Sequence, residues 1–493
     1  MNHHFILFLG AVGCIEAKYG VERDAVDSGV AATADEATDA NESPAESDGP
    51  TDTGVVGDGD VLSMAAQATW QPPSALSLSW EAVDGARSHA ISMRGPDDYR
   101  YEEAGLESTE ATVDDLESGE YTAEITALDE AGRAIAQASV TQLVGENRLV
   151  YRSEVPLDRA MDVWGAGDYA IIGGGTNPSI SALVVDLSDS TNPTVVNTMT
   201  DIGYVRDVKV FDDLLFTSVD PESDGCALCD DIGVRIFDFS NPVEPILLSE
   251  IGAPTSWVHN MTYADGHLYV ASIYEDEVVV FDVRDPTTPA RVGEWKADNV
   301  PFASLLHGFG LPPHDMTAKG DRLYVAHLTG FSIVDISDPT NPTTLADVRV
   351  NMGMHNVWPN EEETLMVGTQ EILDGELTLW DISDLDDIQL LDAISTGADR
   401  SVHNGYFDNG TIFASWYIDG IFSFEVEDGQ MVQTGHFDTF DVDLPPPPDD
   451  MPMFGPPIDG AWGLWTLGKH IVVGDTFRGL MVFDHYPNTV SVP

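Results

Sequence analysis

Basic residues are scarce in this chain of 493 residues, in which 21 Lys and Arg stand against 85 Asp and Glu, giving a formal net charge of −64. A field of that sign repels phosphate groups, so we expect no nucleic-acid partner and no direct binding to anionic membrane surfaces. The surplus of acid indicates a strongly hydrated surface suited to a salty medium. Dispersed calcium binding is the alternative, but the sequence contains no complete EF-hand-type loop.

Long apolar segments are lacking as well, since no run reaches the length of about 18 residues that a transmembrane helix needs. A short apolar run at residues 5–12 ends at Cys14, and such a run followed by small residues is typical of an export signal. The stretch Ala11-Val12-Gly13-Cys14 resembles a bacterial lipobox, whose cysteine becomes the lipidated first residue. We therefore expect residues 1–14 to be an export signal and Cys14 to anchor the protein to the outer membrane or cell surface. Ordinary signal cleavage, which would secrete it, is the alternative.

Cysteine is rare, and after Cys14 only Cys226 and Cys229 remain, as Cys-Ala-Leu-Cys in an acidic loop. In an oxidising compartment the two are expected to form a local disulfide. A redox site or half of a zinc site is the alternative for a CxxC pair. No thioredoxin-like βαβ pattern surrounds it, and no second CxxC occurs.

Residues 15–61 contain almost no aromatic side chains and many acidic and small ones. Such a segment buries too little apolar area to offset the entropy lost on ordering. Its charges repel one another and extend the chain. We predict a disordered acidic tether behind the anchor.

Residues 62–145 show short alternating apolar runs separated by turns. Two strands are predicted around a turn at Asp84-Gly85, and two more around Ala131-Gly132. With Trp80 on an early strand and Tyr121 on a late one, the segment resembles a fibronectin type III sandwich. That resemblance implies a spacer or adhesion module, and the segment carries no catalytic constellation.

Residues 147–493 repeat one phrase, of which ALVVDLSDSTNP, VVVFDVRDPTTP and FSIVDISDPTNP are three copies. The recurring acid stands 44 to 59 residues from the next, at Asp186, Asp238, Asp282, Asp335, Asp381, Glu425 and Asp484. This period is typical of four-stranded propeller blades. We expect the acid to cap the turn after each third strand by accepting backbone N–H groups, with calcium ligation as the alternative.

Seven such units are present, and the last contains only three strands. The segment NRLVYRSEV at 147–155 precedes the first unit, has no partner of its own, and is predicted to complete the last one. That pairing would close the ring and remove exposed edges. The predicted fold is thus all-β: a seven-bladed β-propeller after a sandwich and a tether, expected to be a monomer.

The repeat phrases resemble those of the LVIVD-repeat family of bacterial exported proteins. The C-terminal stretches MHNVWPNEEETLMVGTQE and SVHNGYFDNGTIFASWYIDGIFSFEV are similar to the anchored subgroup of that family. The resemblance implies a propeller on an anchored or secreted protein and implies little about chemistry. The insert DVDLPPPPDDMPMFGPPIDG departs from the pattern and is expected to form a surface loop.

A histidine recurs at the start of the predicted first strand of four units. The positions are His259, His314, His355 and His403, each followed by Asn or Asp. Innermost strands surround the propeller channel, so these imidazoles should converge and could bind a transition metal. Asp207 or Asp315 could add a ligand or orient a histidine. The alternative is that the His-Asn pairs satisfy backbone groups between blades. His307 and His327 fall at loop and second-strand positions, so they are weaker candidates for the same site.

Catalytic motifs are absent: the sequence has no GxSxG elbow, P-loop, GxGxxG turn or HExxH helix. The leading hypothesis is therefore a non-catalytic, lipid-anchored binding or scaffolding protein that presents its loops to a protein or glycan at the cell surface. The alternative is a metal-dependent enzyme with its histidine cluster at the channel mouth.

Overall fold

The computed structural model describes residues 62–71, 74–96, 99–145, 147–157, 159–174, 180–220, 232–252, 258–272, 277–297, 313–327, 329–350, 353–440, 459–486 and 489–491. Within these ranges the chain is all-β, as predicted, and it contains no α-helix. Accordingly, the described part has no helix with the length and apolarity to cross a membrane. The predicted signal and tether, residues 441–458 of the Pro-rich insert, and Cys14, Cys226, Cys229 and His307 lie outside the described residues.

Two sheets pack face to face in the N-terminal region. Their strands are β1 (Leu62–Ser63), β2 (Ala66–Gln71), β3 (Ala75–Trp80), β4 (Ser88–Arg94), β5 (Arg100–Leu106), β6 (Glu110–Val113), β7 (Gly119–Leu128) and β8 (Ala134–Val144). One sheet has the order β1-β8-β7-β4-β5, and the other contains β2, β3 and β6. Side chains along β3 alternate between buried and half-buried, as they do in a sheet with one face on a core. Trp80, Tyr121 and Ile125 belong to that core.

The two predicted turns of this region differ in what they connect. Strands β7 and β8 pair across the turn at Ala131-Gly132, as a hairpin. Strands β3 and β4 flank Asp84-Gly85 but belong to different sheets. Each presents an apolar face, and packing these faces against each other buries more apolar area than pairing the strands side by side would.

The remaining strands form a long repeating series. They are β9 (Leu149–Val155), β10 (Ala160–Ala166), β11 (Tyr169–Gly174), β12 (Ala182–Asp186), β13 (Thr194–Met199), β14 (Tyr204–Phe211), β15 (Leu214–Asp220), β16 (Ile232–Asp238), β17 (Ile246–Gly252), β18 (Val258–Ala264), β19 (His267–Ser272), β20 (Glu277–Asp282), β21 (Ala290–Trp295), β22 (Pro313–Lys319), β23 (Arg322–His327), β24 (Gly330–Asp335), β25 (Thr343–Arg349), β26 (Met354–Pro359), β27 (Leu365–Gln370), β28 (Leu377–Asp381), β29 (Gln389–Ile394), β30 (Gly405–Asp408), β31 (Thr411–Ser415), β32 (Ile421–Glu427), β33 (Gln430–Phe437), β34 (Ala461–Leu467), β35 (His470–Asp475), β36 (Gly479–His485) and β37 (Thr489–Ser491).

From β9 to β36, the described strands form seven antiparallel four-stranded sheets, which we number first to seventh along the chain. The first six are β10–β13, β14–β17, β18–β21, β22–β25, β26–β29 and β30–β33, and the seventh has the order β34-β35-β36-β9. In the seventh sheet Leu480 pairs with Val155 and His485 with Leu149. The predicted donation of residues 147–155 to the last unit is thereby confirmed.

From the first to the sixth sheet the first strands of successive sheets contact one another, β31 of the sixth sheet contacts β34, and β10 contacts both β14 and β34. Second strands such as β19 are buried along their whole length, whereas outer strands such as β13 are largely exposed. Continuous apolar runs therefore lie where neighbouring sheets cover both faces, and polar residues accumulate at the rim. This arrangement is a β-propeller.

In the first five sheets the recurring acids lie at the turns after the third strands, as predicted. The prediction is wrong for the last two sheets, because Glu425 and Asp484 lie inside β32 and β36 and the Asp484 carboxylate accepts from Arg152 and Lys469 instead. Oδ1 of each of the first five acids accepts the backbone N–H of the residue two positions later, at 2.8 to 3.1 Å, in Asp186, Asp238, Asp282, Asp335 and Asp381. A second Asp three positions on repeats the device: Asp189, Asp285 and Asp338 accept the N–H and hydroxyl of a Thr. These side chains fix the turn that leads into each outer strand.

The chain end returns to the N-terminal sheets. Strand β37 pairs with β2, where Val490 lies opposite Ala68, so a strand from the segment assigned to the propeller completes the sheet of β2, β3 and β6. The buried guanidinium of Arg148 lies at the same junction. It donates to the carbonyl oxygens of Leu143 at 2.8 Å and Tyr486 at 2.6 Å.

Candidate metal centre

A β-bulge interrupts the first strand of most sheets at the positions of the recurring residue pairs. The ladder skips residues in β10, β14, β18, β22, β26 and β34. In β18 the ladder skips His259 and Asn260, and in β26 it skips His355. Bulges leave residues outside the ladder and redirect their side chains. The local backbone is thus what aims these side chains toward the propeller axis.

The structure brings together the four histidines that the sequence singled out. The ring centroid of His314 lies 3.9 Å from that of His259 and 4.2 Å from that of His355. The ring of His403 lies 4.2 Å from that of His355. His259, His355 and His403 are buried, and His314 is half-buried at the surface of the cluster. Consecutive sheets therefore place four imidazoles in contact.

The four imidazoles are held in the neutral form. Burial lowers the pKa of His314 to about 4 and that of His403 to about 3, and it lowers the pKa values of His259 and His355 well below the usual range. Nδ1 of His403 donates to the carbonyl oxygen of Trp462 at 2.9 Å, which leaves Nε2 without a hydrogen bond among the described residues. Neutral imidazole whose other nitrogen is held by a carbonyl is the form that ligates metal ions.

The Asn residues after His259 and His355 have a different role, because each joins neighbouring sheets. Oδ1 of Asn260 accepts the N–H of Met316 at 3.2 Å, and Oδ1 of Asn356 accepts that of Gly405 at 3.2 Å. This observation supports the alternative, backbone-satisfying interpretation for the Asn residues. The backbone-satisfying interpretation does not account for His355, because its Nε2 is buried and makes no hydrogen bond to a described residue.

A carboxylate that the sequence did not single out completes the cluster. One nitrogen of His314, one of His355 and one oxygen of Glu371 lie within 4.8 Å of one another. Metal ligands of this kind lie about 2.0–2.2 Å from the ion, so roughly 1 Å of side-chain movement would bring all three onto one ion. Burial raises the pKa of Glu371 to about 7, although the Tyr417 hydroxyl donates to its carboxylate and opposes that shift.

Acidic groups outnumber basic ones around the cluster. Asp162, Asp207 and Asp315 are buried there together with Lys209 and Arg206. Nζ of Lys209 donates to Oδ2 of Asp162 at 2.7 Å and also to Asp207. With Glu371, four carboxyl groups face two basic groups. Burial raises the pKa values of Asp207, Asp315 and Glu371, and a cation in this space would favour their ionised forms and be stabilised by them.

Aromatic rings fill the propeller axis beyond the polar residues. The rings of Trp164 and Trp465 stack with centroids 3.4 Å apart. Trp358 contacts Trp465 at 5.7 Å and Tyr406 at 4.6 Å. These side chains come from the first, fifth, sixth and seventh sheets, so they meet across the axis. Above them lies a cavity lined in part by His259, His355, His403, Asp162 and Asn404, which is therefore closed on the aromatic side.

Other residues weighed from the sequence lie elsewhere or bind other partners. His327 is buried in the fourth sheet, with Nε2 3.2 Å from Oγ of Ser332. Asp207 accepts the N–H of Met261 at 2.8 Å, and Asp315 accepts from Nδ2 of Asn356 at 3.1 Å. Asp207 thus accepts from a backbone N–H and from Lys209, and Asp315 accepts from Asn356. Glu371 was missed because it follows a second strand, outside the column of first-strand positions that the repeat aligns.

The LVIVD repeat matches residues 159–201 and 314–349. These stretches cover the first sheet and the fourth sheet, including His314. The chain therefore carries LVIVD repeats, as the sequence predicted. No curated protein matches the chain.

Solved structures that the chain resembles share little sequence with it. The β-propeller domain of Cps50 (Swd1) from Myceliophteria thermophila is 11% identical, with a TM-score of 0.47, covering 69% of this chain and all of that one (100%). A protein from Lactobacillus plantarum is 12% identical, with a TM-score of 0.49, covering 66% of this chain and 100% of that one. The periplasmic gluconolactonase PpgL of Pseudomonas aeruginosa is 14% identical, with a TM-score of 0.49, covering 66% and 96%.

Proposed function

We propose that this protein binds a transition-metal ion at the propeller axis, through His314, His355 and Glu371, with His259 and His403 beside them. The observation that carries the proposal is the convergence of two imidazole nitrogens and one carboxylate oxygen within 4.8 Å in the propeller interior. Buried polar atoms are almost always paired. Here Nε2 of His355 and Nε2 of His403 are buried without a hydrogen-bond partner in the described residues, and a metal ion would satisfy such atoms.

The donor set favours some metals over others. Imidazole nitrogen suits zinc, copper, iron and nickel, and one carboxylate is compatible with each of them. Calcium and magnesium prefer oxygen ligands throughout, so they fit this cluster poorly. Three protein ligands leave one position of a four-coordinate ion open, as in catalytic rather than closed structural zinc sites. His355 lines the cavity at the propeller axis, and an open position beside it favours metal-dependent chemistry over a purely scaffolding role.

We propose in addition that the seven sheets are the blades of a closed seven-bladed propeller. Contacts of β10 with both β14 and β34 support that closure. The N-terminal sheets are proposed to form a fibronectin type III-like domain. The hydroxyl of Tyr121 donates to the carbonyl oxygen of Glu117 at 3.1 Å, a contact like the tyrosine corner of such sandwiches.

We also propose that the chain is exported and anchored through a lipid on Cys14, like the anchored subgroup of the LVIVD-repeat family, which places the propeller outside the cytoplasm. The apolar run before Cys14 and the following acidic segment support this proposal. We propose further that the anchored protein has a protein or glycan partner at the cell surface. Metabolic labelling with a radioactive fatty acid tests the anchor: the wild-type chain should incorporate label and a Cys14→Ser variant should not.

Elemental mass spectrometry tests the metal site on the untagged chain purified from a periplasmic expression host. We expect close to one equivalent of copper, zinc, iron or nickel, and loss of that metal in the His355→Leu and Glu371→Gln variants. His89→Leu is the matched control, because His89 is also a buried imidazole that makes no hydrogen bond within the described part of the chain, but it lies in the N-terminal sheets. A folded wild-type protein that holds no metal and takes up none on dialysis would overturn the proposal.

A further inference from the structure

The two oxygens of the Glu371 carboxylate face different groups. Oε1 accepts the hydroxyl of Tyr417, and Oε2 lies 3.6 Å from Nε2 of His355. A carboxylate on a flexible side chain can rotate and exchange its oxygens. The Tyr417 hydrogen bond removes that freedom, so one oxygen is fixed by the protein and the other is turned to the histidines.

Tyr417 adopts a backbone conformation that bulky residues rarely have. Its φ is +42°, in the left-handed region that favours glycine. Its N–H donates to the carbonyl oxygen of Ala461 at 3.1 Å, and its own carbonyl oxygen accepts from Ala461 at 3.0 Å. A Cβ on Gly460 would stand 2.4 Å from that carbonyl oxygen. The seventh sheet thus holds Tyr417 in an unfavourable conformation, and such conformations cluster where side-chain position matters for function.

Packing alone does not account for a tyrosine at this position. The ring contacts those of His403 at 5.0 Å and Trp462 at 5.5 Å, and phenylalanine would preserve both contacts. What phenylalanine lacks is the hydroxyl, whose burial is costly unless it is hydrogen-bonded. Ring packing does not require the hydroxyl, and what the hydroxyl adds is a hydrogen-bond donor to Glu371.

We propose that Tyr417 is a positioning residue of the metal centre, which holds Oε1 of Glu371 so that Oε2 is the oxygen presented to the ion beside His355. This inference rests on the proposed function. Partners that orient metal ligands set both the affinity and the ligand geometry, and their loss costs about 10- to 100-fold in affinity. Tyr417 would act through Glu371 and would not touch the ion.

The test compares Tyr417→Phe with Tyr324→Phe in the full chain. Tyr324 is the matched control, because its buried hydroxyl also donates to a carboxylate, Oε1 of Glu363 at 2.7 Å, in the fourth sheet and away from the histidines. Each protein is titrated with Co²⁺ and with Cu²⁺, and the visible absorption spectrum of the Co²⁺ form is recorded. Thermal unfolding without metal reports the structural cost of each substitution.

We expect Tyr417→Phe to bind both ions about 10- to 100-fold more weakly and to shift the Co²⁺ bands, because Glu371 then binds in a different mode. Tyr324→Phe should leave affinity and spectrum as in the wild type. If Tyr417→Phe matches the wild type in both, the positioning role is wrong while the metal site stands. If the wild-type chain itself binds neither ion, the proposed function fails and this inference fails with it.

Discussion

Oδ1 of Asn356 accepts the N–H of Gly405 at 3.2 Å and so joins the first strands of the fifth and sixth sheets. The residue before it, His355, is buried, and its Nε2 makes no hydrogen bond to a described residue. Two neighbours on one bulged strand therefore have separate roles. One stabilises the contact between sheets, and the other is available to a ligand.

This difference predicts that two adjacent substitutions have different effects on the stability of the metal-free protein. Asn356→Leu should lower the free energy of unfolding by about 1–3 kcal/mol, because it leaves the buried N–H of Gly405 unpaired. His355→Leu should be close to neutral, because it removes a polar atom that already lacked a partner. Urea unfolding after chelation measures both values. A loss of equal size in His355→Leu would show that the imidazole is structural.

Lys209 is predicted to be essential for folding stability rather than for metal uptake. Its ammonium group is buried between Asp162 and Asp207. Burial disfavours its charge, but the two carboxylates outweigh burial and hold the pKa of Lys209 above its usual value. Lys209→Met should lower the free energy of unfolding by about 3–5 kcal/mol, because it leaves buried carboxylates without a cation beside them. Combining it with Asp162→Asn and Asp207→Asn should recover part of that loss in urea unfolding; no recovery would contradict the charge argument.

Asp484 is predicted to make the closing sheet sensitive to acid. Nε of Arg152 and Nζ of Lys469 each donate to its carboxylate at 2.9 Å. Burial alone would raise the pKa of Asp484, but hydrogen bonds from His470 and Lys469 and the charge of Arg152 hold it well below the usual value. A lowered folded-state pKa contributes stability above the unfolded value of about 3.9, and that stability is lost as the pH falls.

Asp484→Asn should therefore destabilise the protein by about 3 kcal/mol at neutral pH, and its difference from the wild type should shrink between about pH 5 and pH 3. Asp282→Asn is the matched control at the same repeat position. The pair of Asp282 with Arg284 is more exposed, and exposed pairs contribute little. Unfolding free energies measured across that pH range check the prediction, and parallel curves for the wild type and Asp484→Asn would refute it.

The C-terminal strand is predicted to protect the edge of the N-terminal sheets. Gln67 pairs with Ser491 and Thr69 with Thr489. Deleting residues 489–493 leaves the backbone of β2 unpaired on that side. Hydrogen–deuterium exchange at residues 67–69 should quicken by at least about tenfold, because exchange there would need only local opening. Exchange in β19 of the third sheet should be unchanged. Deleting residues 492–493 alone is the control and should leave residues 67–69 protected.

The elements that depend on local patterning and on repetition could be predicted from the sequence. β-branched runs separated by Gly, Asp and Pro specify four strands per unit, and the recurring Asp fixes the turn after the third strand in the first five sheets. Repetition also aligned His259, His314, His355 and His403, because equivalent positions of a repeat occupy equivalent places around one axis. The strand predicted at 147–155 belonged to no unit of its own and the last unit lacked one strand, so the two could be matched from the sequence, and they pair in the seventh sheet.

Which other groups meet those histidines depends on how the sheets pack. Glu371 and Tyr417 follow the second strands of the fifth and sixth sheets, 46 residues apart, and the recurring phrase of the repeat does not include either of them. The stacking of Trp164 on Trp465 and the pairing of β37 with β2 likewise join distant parts of the chain. Such contacts depend on the curvature that packs sheet against sheet. Local propensity and repeat spacing carry no information about that curvature, which is why the histidines could be predicted and their carboxylate partner could not.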